Sequence, residues 1–228
     1  MKPMTGPLLL MRKEMNFTFV INMIITVVLF FSFAWIGSIE ADASFVLFGP
    51  IYAVFLLYPW VNFKGYSLIL SLGGTRRQFV ISFYLIAIVF MILSVAILHG
   101  LYLINDQLLQ WTTFTQTGEL LGSSHPLLYI WADFIWLFAL FSISLFIRSF
   151  LFNFGSIMTL SLGAVLLILF TSWFFLGDMS AVFEFILTNH LAFLHIMLGI
   201  SLLLSLVTYL LMRNGPLENG GRIAWRSS

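Results

Sequence analysis

The chain has 228 residues, 61% of them hydrophobic and only 8% charged, against roughly 25% charged in an ordinary soluble domain. A soluble fold of this length has too small a core to hide that much apolar surface, so lipid is the expected solvent. The formal charge of +1 gives no basis for a nucleic-acid partner, and the absence of cysteine excludes disulfides and thiol chemistry.

The N-terminal TGPLLLMRKEMNF places Gly6 and Pro7 at a helix start, followed by three leucines and then Arg12, Lys13 and Glu14. It reads either as a short helix lying in the cytoplasmic interface or as a basic anchor that only sets topology. Six stretches then meet the length of about 20 apolar residues that a transmembrane helix needs. They are Phe17–Ile39, Phe45–Phe63, Phe79–Ile104, Leu127–Ile147, Phe154–Leu176 and His190–Met212. Ala41-Asp42-Ala43 has the look of a signal-peptidase site, but the apolar run before it exceeds the 7–15 residues of a signal h-region. Pro50 and Pro59 predict a kinked or locally unwound second span. Pro126 suits the start of the fourth.

Charge placement orients these spans. With the N-terminus inside, the inner segments are 1–16, 64–78, 148–153 and 213–228. They hold Lys2, Arg12, Lys13, Lys64, Arg76, Arg77, Arg148, Arg213, Arg222 and Arg226, which are all ten basic residues of the chain. The outer segments carry Glu40, Asp42, Asp106, Glu119, Asp178 and Glu184 instead. The positive-inside rule therefore predicts both termini in the cytoplasm.

Between the spans, the longest outer segment, 105–126, carries Trp111 and Phe114 and reads as an amphipathic surface segment or a loop. In GDMSAVFEFILTNH, Met179, Val182, Phe183, Ile186 and Leu187 follow helical spacing, with Asp178 as a cap. This predicts a short helix dipping into the outer leaflet before the sixth span. No outer segment is long enough for a folded domain, no internal repeat is visible, and the whole of 1–228 reads as one domain.

The inner segment KGYSLILSLGGTRRQF carries the strongest local signal. Gly73-Gly74 is a helix terminator. Thr75 followed three residues later by Gln78 is a capping box, so Thr75 opens the third span. A short helix, Tyr66, Ser67, Leu68, Ile69, Leu70, Ser71 and Leu72, precedes the glycines. Arg76 and Arg77 occupy the first turn of the next helix, where positive charge opposes the dipole at a cost of a few tenths of a kcal/mol. Their presence is explained by topology alone or by contact with another protein at the inner face.

A short helix, a turn and then [ST]-R-x-[EQ] opening a membrane helix resembles the elbow between the second and third spans of ABC type-2 permeases. Thr75-Arg76-Arg77-Gln78-Phe79 carries that pattern. The wider layout is similar as well, with an interfacial N-terminal helix, six spans, both termini inside and a re-entrant outer segment before the last span. The resemblance implies an all-α membrane fold whose residues Tyr66–Leu72, with Arg76 and Arg77 beside them, form a coupling helix seated on an ATPase subunit. The chain has no G-x-x-x-x-G-K-[ST]. The resemblance thus implies no cofactor and no enzymatic activity in this chain, a separate ATPase that binds ATP and Mg, and a second permease chain, identical or related. Compact members of the family export or remove amphipathic or antimicrobial peptides. Phenol-soluble modulin exporters and bacteriocin-immunity or bacitracin-type pumps are the most similar, which implies a bacterial plasma membrane. The alternative is a membrane interaction or sensor subunit with no transport path.

Asp133 is the one acidic residue inside a span, about 9 Å below its outer end at 1.5 Å per residue. An intramembrane carboxylate is a candidate functional group, here for a translocation path, with His99 and His195 at similar depth as expected partners. A buried hydrogen bond locking two helices together is the structural alternative. His190 and His195 are five residues apart, about 140° round a helix, and do not make a zinc pair. Ser156 and Ser201 lie within spans without the motif of a hydrolase nucleophile. The 26 phenylalanines and seven tryptophans read as lipid-facing or helix-packing groups.

Overall fold

The computed structural model describes residues 5–36, 44–109, 125–177, 179–213 and 215. Within these the secondary structure is helical, without strands. The elements are α1 (Thr5–Ile36), α2 (Ser44–Asn62), α3 (Gly65–Ser71), α4 (Arg76–Ile104), α5 (Pro126–Leu176), α6 (Met179–Thr188) and α7 (His190–Arg213), with a π-helical turn, Asn105–Leu109, extending α4. Helices α1, α4, α5 and α7 are long and apolar enough to cross a membrane. A fifth such unit is the pair Gly49–Asn62 and Gly65–Ser71, bent by 45°. The chain is a membrane-embedded helical protein.

Polarity is distributed as lipid demands. Leu, Ile, Val and Phe cover the outside of α1, α4 and α7, whereas Thr26, Ser82, Ser94, Asp133, Ser142, Ser201 and Thr208 are buried between helices. Helix α1 packs on α2 and α4, α2 on α5, and α5 on α7. Along α1 the buried stripe is Met11, Met15, Phe19, Met23, Thr26 and Phe30, a repeat of three and four residues that keeps one face inward. The N-terminal basic stretch is the first part of this one continuous 32-residue helix, not a separate interfacial element.

Helix α2 stays helical through both prolines instead of unwinding. Pro59 has no N–H for the Phe55 carbonyl. One residue on, the Ser144 hydroxyl from α5 donates to the Leu56 carbonyl. The expected inner loop 148–153 is also helical. It contains neither glycine nor proline, and its Phe152 is held between the rings of Phe63, just past α2, and Tyr66 of α3. The break falls instead at Gly155, whose φ of 82° and ψ of 173° leave the helical region. A straight helix of the 51 residues of α5 spans ~76 Å, more than twice the ~30 Å hydrocarbon core, so it cannot serve as a single crossing. Before the break α5 is packed into the bundle; from Ser156 to Leu176 no residue is buried. Helix α6 forms where the spacing predicts it, with Met179, Val182 and Ile186 partly covered and Phe183 and Leu187 turned outward. Asp178, Trp111 and Phe114 lie outside the described residues.

Gly155 adopts a conformation that is nearly glycine-only, and a side chain there costs on the order of 1–3 kcal/mol. Gly155→Ala should therefore lower the melting temperature in detergent. Gly163→Ala in the same helix, where an added Cβ meets nothing within 4 Å, should leave it unchanged or raise it. Equal melting temperatures for the two variants would show that the break is not required.

Candidate functional site

The elbow between α2 and α4 is built from local backbone chemistry. Helix α3 ends in a Schellman motif, in which the Gly74 N–H donates to the Ile69 carbonyl at 2.8 Å and the Gly73 N–H to Leu70 at 3.0 Å. Gly73 supplies the positive φ of 78° that this closure needs. A Cβ on Gly74 would lie 2.8 Å from the Ile69 carbonyl oxygen, so the second glycine is required by close approach. The next helix opens with the predicted capping box. The Gln78 N–H donates to the Thr75 hydroxyl at 3.2 Å, and the Thr75 N–H donates to the Gln78 side chain at 2.8 Å. Helix α3 begins and ends one residue earlier than expected, with Leu72 as its C-cap.

The two faces of α3 differ. Gly65, Tyr66 and Ile69 are buried. Ser67, Leu68, Ser71 and Leu72 face outward, and the two leucines are 44% and 77% exposed. Of the arginines, Arg76 reaches back to the Tyr66 phenol, while Arg77 is exposed. Beside the leucine ridge a cavity of about 390 Å³ opens between the start of α1 (Pro7, Leu10) and the elbow (Ile69, Leu72, Gln78). Gly65 admits α1 here, since a Cβ on it would fall on the Met11 methyl group. The Tyr58 hydroxyl donates to the Met11 carbonyl at 3.4 Å.

An aromatic cluster holds the buried face of α3. The Tyr66 ring lies 5.2 Å from Phe79 of α4 and 5.1 Å from Phe152 of α5. Phe63 stands 5.7 and 5.2 Å from the same two rings. Phe79 continues to Phe83, and Phe83 to Tyr58 and Phe141. The Arg148 guanidinium sits 5.2 Å from the Phe63 ring centre and 5.7 Å from that of Trp60. Arg12 and Lys13 flank the Met11 contact, and Arg213 follows Met212, whose sulfur meets Asn153. The described basic residues thus gather at the α3 end of the bundle.

The second polar centre lies towards the other end. Asp133 is 1% exposed, and His99 Nε2 stands 3.7 Å from its Oδ2. The other ring nitrogen of His99 is 3.0 Å from the Val95 carbonyl oxygen. The Tyr52 hydroxyl of α2 also interacts with Asp133. The Tyr102 ring lies 5.9 Å from His99, and Asn105 is buried at the start of the π-helical turn. Sequence reasoning paired Asp133 with His99 but missed Tyr52, Tyr102 and Asn105. The signal for the last two was present, since 99, 102 and 105 recur every three residues on one face of α4.

His195 does not join this centre. Leu194, Ser201 and Thr208 carry the buried face of α7, and His195, about 100° round from Leu194, is exposed with its ring 6.4 Å from Trp131. Ser201 donates to the Met197 carbonyl within its own helix at 2.7 Å, and Ser156 is exposed beyond Gly155. Among the described residues no group of three or more His, Asp or Glu is placed to hold a metal ion.

Asp133→Asn retains a polar group facing Tyr52 and His99, whereas Asp133→Leu replaces it with an alkyl group. The Leu variant should be about 1–2 kcal/mol less stable than the Asn variant in detergent unfolding, the scale of interhelical hydrogen bonds in membranes. Equal stability would mean that the polar contacts of Asp133 do not hold α2, α4 and α5 together.

Compared with protein-family models, with curated proteins and with solved structures, the chain matches none of them.

Proposed function

We propose that the chain is the permease subunit of an ATP-driven exporter of the ABC type-2 class, moving an amphipathic peptide out of the cytoplasm or the membrane of a bacterial cell. The observation that carries this reading is the construction of α3. A seven-residue helix, closed by a Schellman motif and a capping box, presents Leu68 and Leu72 outward while Tyr66 is locked into rings from two long helices. A partner pressing on the leucine ridge acts on α4 and α5 through that lock. Counting α5 as two crossings divided at Gly155, and α2 with α3 as one bent unit, gives six spans. The basic residues at the α3 end support, through the positive-inside rule, a cytoplasmic location for that end and both termini; on this reading α6 is the re-entrant outer segment. ATP and Mg belong to the partner ATPase, and a second permease chain, identical or related, completes the pathway. ATP-driven closure of the ATPase pair displaces α3 and rocks the bundle.

A second reading, a membrane interaction or sensor subunit, is favoured by the near-complete burial of Asp133, which leaves it no surface for a substrate. Co-purification separates the two. The wild-type chain should bring an ATPase with it and support peptide-stimulated hydrolysis, and its isolation without one favours the second reading. The double substitution Leu72→Glu with Arg77→Glu changes only outward-facing groups. It should reduce recovery of the ATPase at least tenfold and abolish peptide stimulation without changing the melting temperature. A fully active complex in that variant would remove α3 as the coupling element.

A further inference from the structure

We propose that His99 and Asp133 form a proton-binding site inside the bundle, taking up one exchangeable proton on either His99 Nε2 or Asp133 Oδ2. The Val95 carbonyl oxygen stands 3.0 Å from His99 Nδ1. A carbonyl oxygen only accepts hydrogen bonds, so Nδ1 carries the hydrogen of the neutral ring. Nε2 is then a bare lone pair, and it faces a carboxylate oxygen at 3.7 Å.

Without a further proton, two electron-rich atoms oppose each other and a net negative charge is enclosed among apolar helices, an arrangement that hydrocarbon strongly disfavours. One proton, on either atom, makes the pair neutral overall and its contact attractive. A second proton leaves an uncompensated positive charge. Single occupancy is the favoured state.

The described side chains around the pair are polar or aromatic. Helix α2 contributes the Tyr52 phenol, α4 the Tyr102 ring and the Asn105 amide, and α5 Asp133 itself. On α7, His195 is exposed against Trp131, and the Nδ1 of the buried His190 is occupied by the Ile186 carbonyl. The charged residues of α1, Arg12, Lys13 and Glu14, lie at the opposite end. Exchange with water starts at His99 itself, whose side chain is 14% exposed. The proton is delivered by hydronium: one of its O–H bonds breaks, an N–H or O–H bond forms on the pair, and water leaves.

The test is nitrogen NMR of the full chain in nanodiscs with labelled histidine, combined with infrared spectroscopy of its carboxyl groups. The His99 signals are identified by their loss in His99→Gln. At neutral pH the wild-type protein should show either a protonated His99 Nε2 or a protonated carboxyl band that disappears in Asp133→Asn. The same Asp133→Asn protein should return His99 to a neutral ring with a bare Nε2, whereas Asp133→Glu should retain the proton. A wild-type His99 that is neutral, with a bare Nε2, beside an ionised Asp133 overturns the proposal, whatever the variants do.

Discussion

The packing of rings around Tyr66 is the contact on which the elbow depends. A seven-residue helix has too few backbone hydrogen bonds to persist in isolation, and α3 has only three buried residues with which to hold its place. Two edge contacts from Tyr66, each worth about 0.5–1.5 kcal/mol beyond simple burial, join it to α4 and α5. Phe63 repeats those contacts from the end of α2, and Phe83 carries the cluster onward to Tyr58 and Phe141. Four consecutive elements therefore meet through rings at one end of the bundle. The glycine turn and the capping box fix where the backbone reverses, and the rings fix where the reversal sits. Loss of Tyr66 would leave both local motifs intact and the elbow without an anchor.

Helix α5 joins two environments. Its first half is lined by Ala132, Asp133, Ser142, Ser144 and Ser149, small or polar groups that let α2 and α7 approach. The Ser142 and Ser205 hydroxyls meet across that seam at 3.2 Å. Beyond Gly155 the outward surface is mainly Ile, Leu, Val and Phe, the composition of a helix solvated by acyl chains. One glycine separates a helix that belongs to the bundle from one that belongs to its surroundings.

Much of the elbow was legible because its determinants are local. Gly73, Gly74, Thr75 and Gln78 act through backbone groups at most five residues away, so their spacing alone specifies the turn. The Asp133–His99 pair was legible for another reason: ionisable groups are so few within these spans that equal depth nearly selects the partner. Depth does not report which way a helix face turns, and His195 failed on that point. Tyr52 lies in an apolar helix and acquires meaning only once α2 rests against α5. The helical state of 148–153 also escaped, since charge placement marks the membrane surface and says nothing about whether the backbone stops there. The aromatic cluster is tertiary by nature, and seven rings dispersed over nearly a hundred positions carry no periodic signal.

The continuity of α1 has a mechanical consequence. Its 32 residues form a rod ~48 Å long, so ~18 Å exceeds the hydrocarbon thickness and is taken up by protrusion or tilt. One end of that rod is held where Met11 meets Gly65 and Tyr58. A rod held at its foot cannot slide along its own axis to suit a thinner or thicker bilayer. It responds by leaning, with the fulcrum at the elbow. Bilayer thickness thereby becomes a load on the joint between α1 and α3, delivered through a lever without an internal hinge.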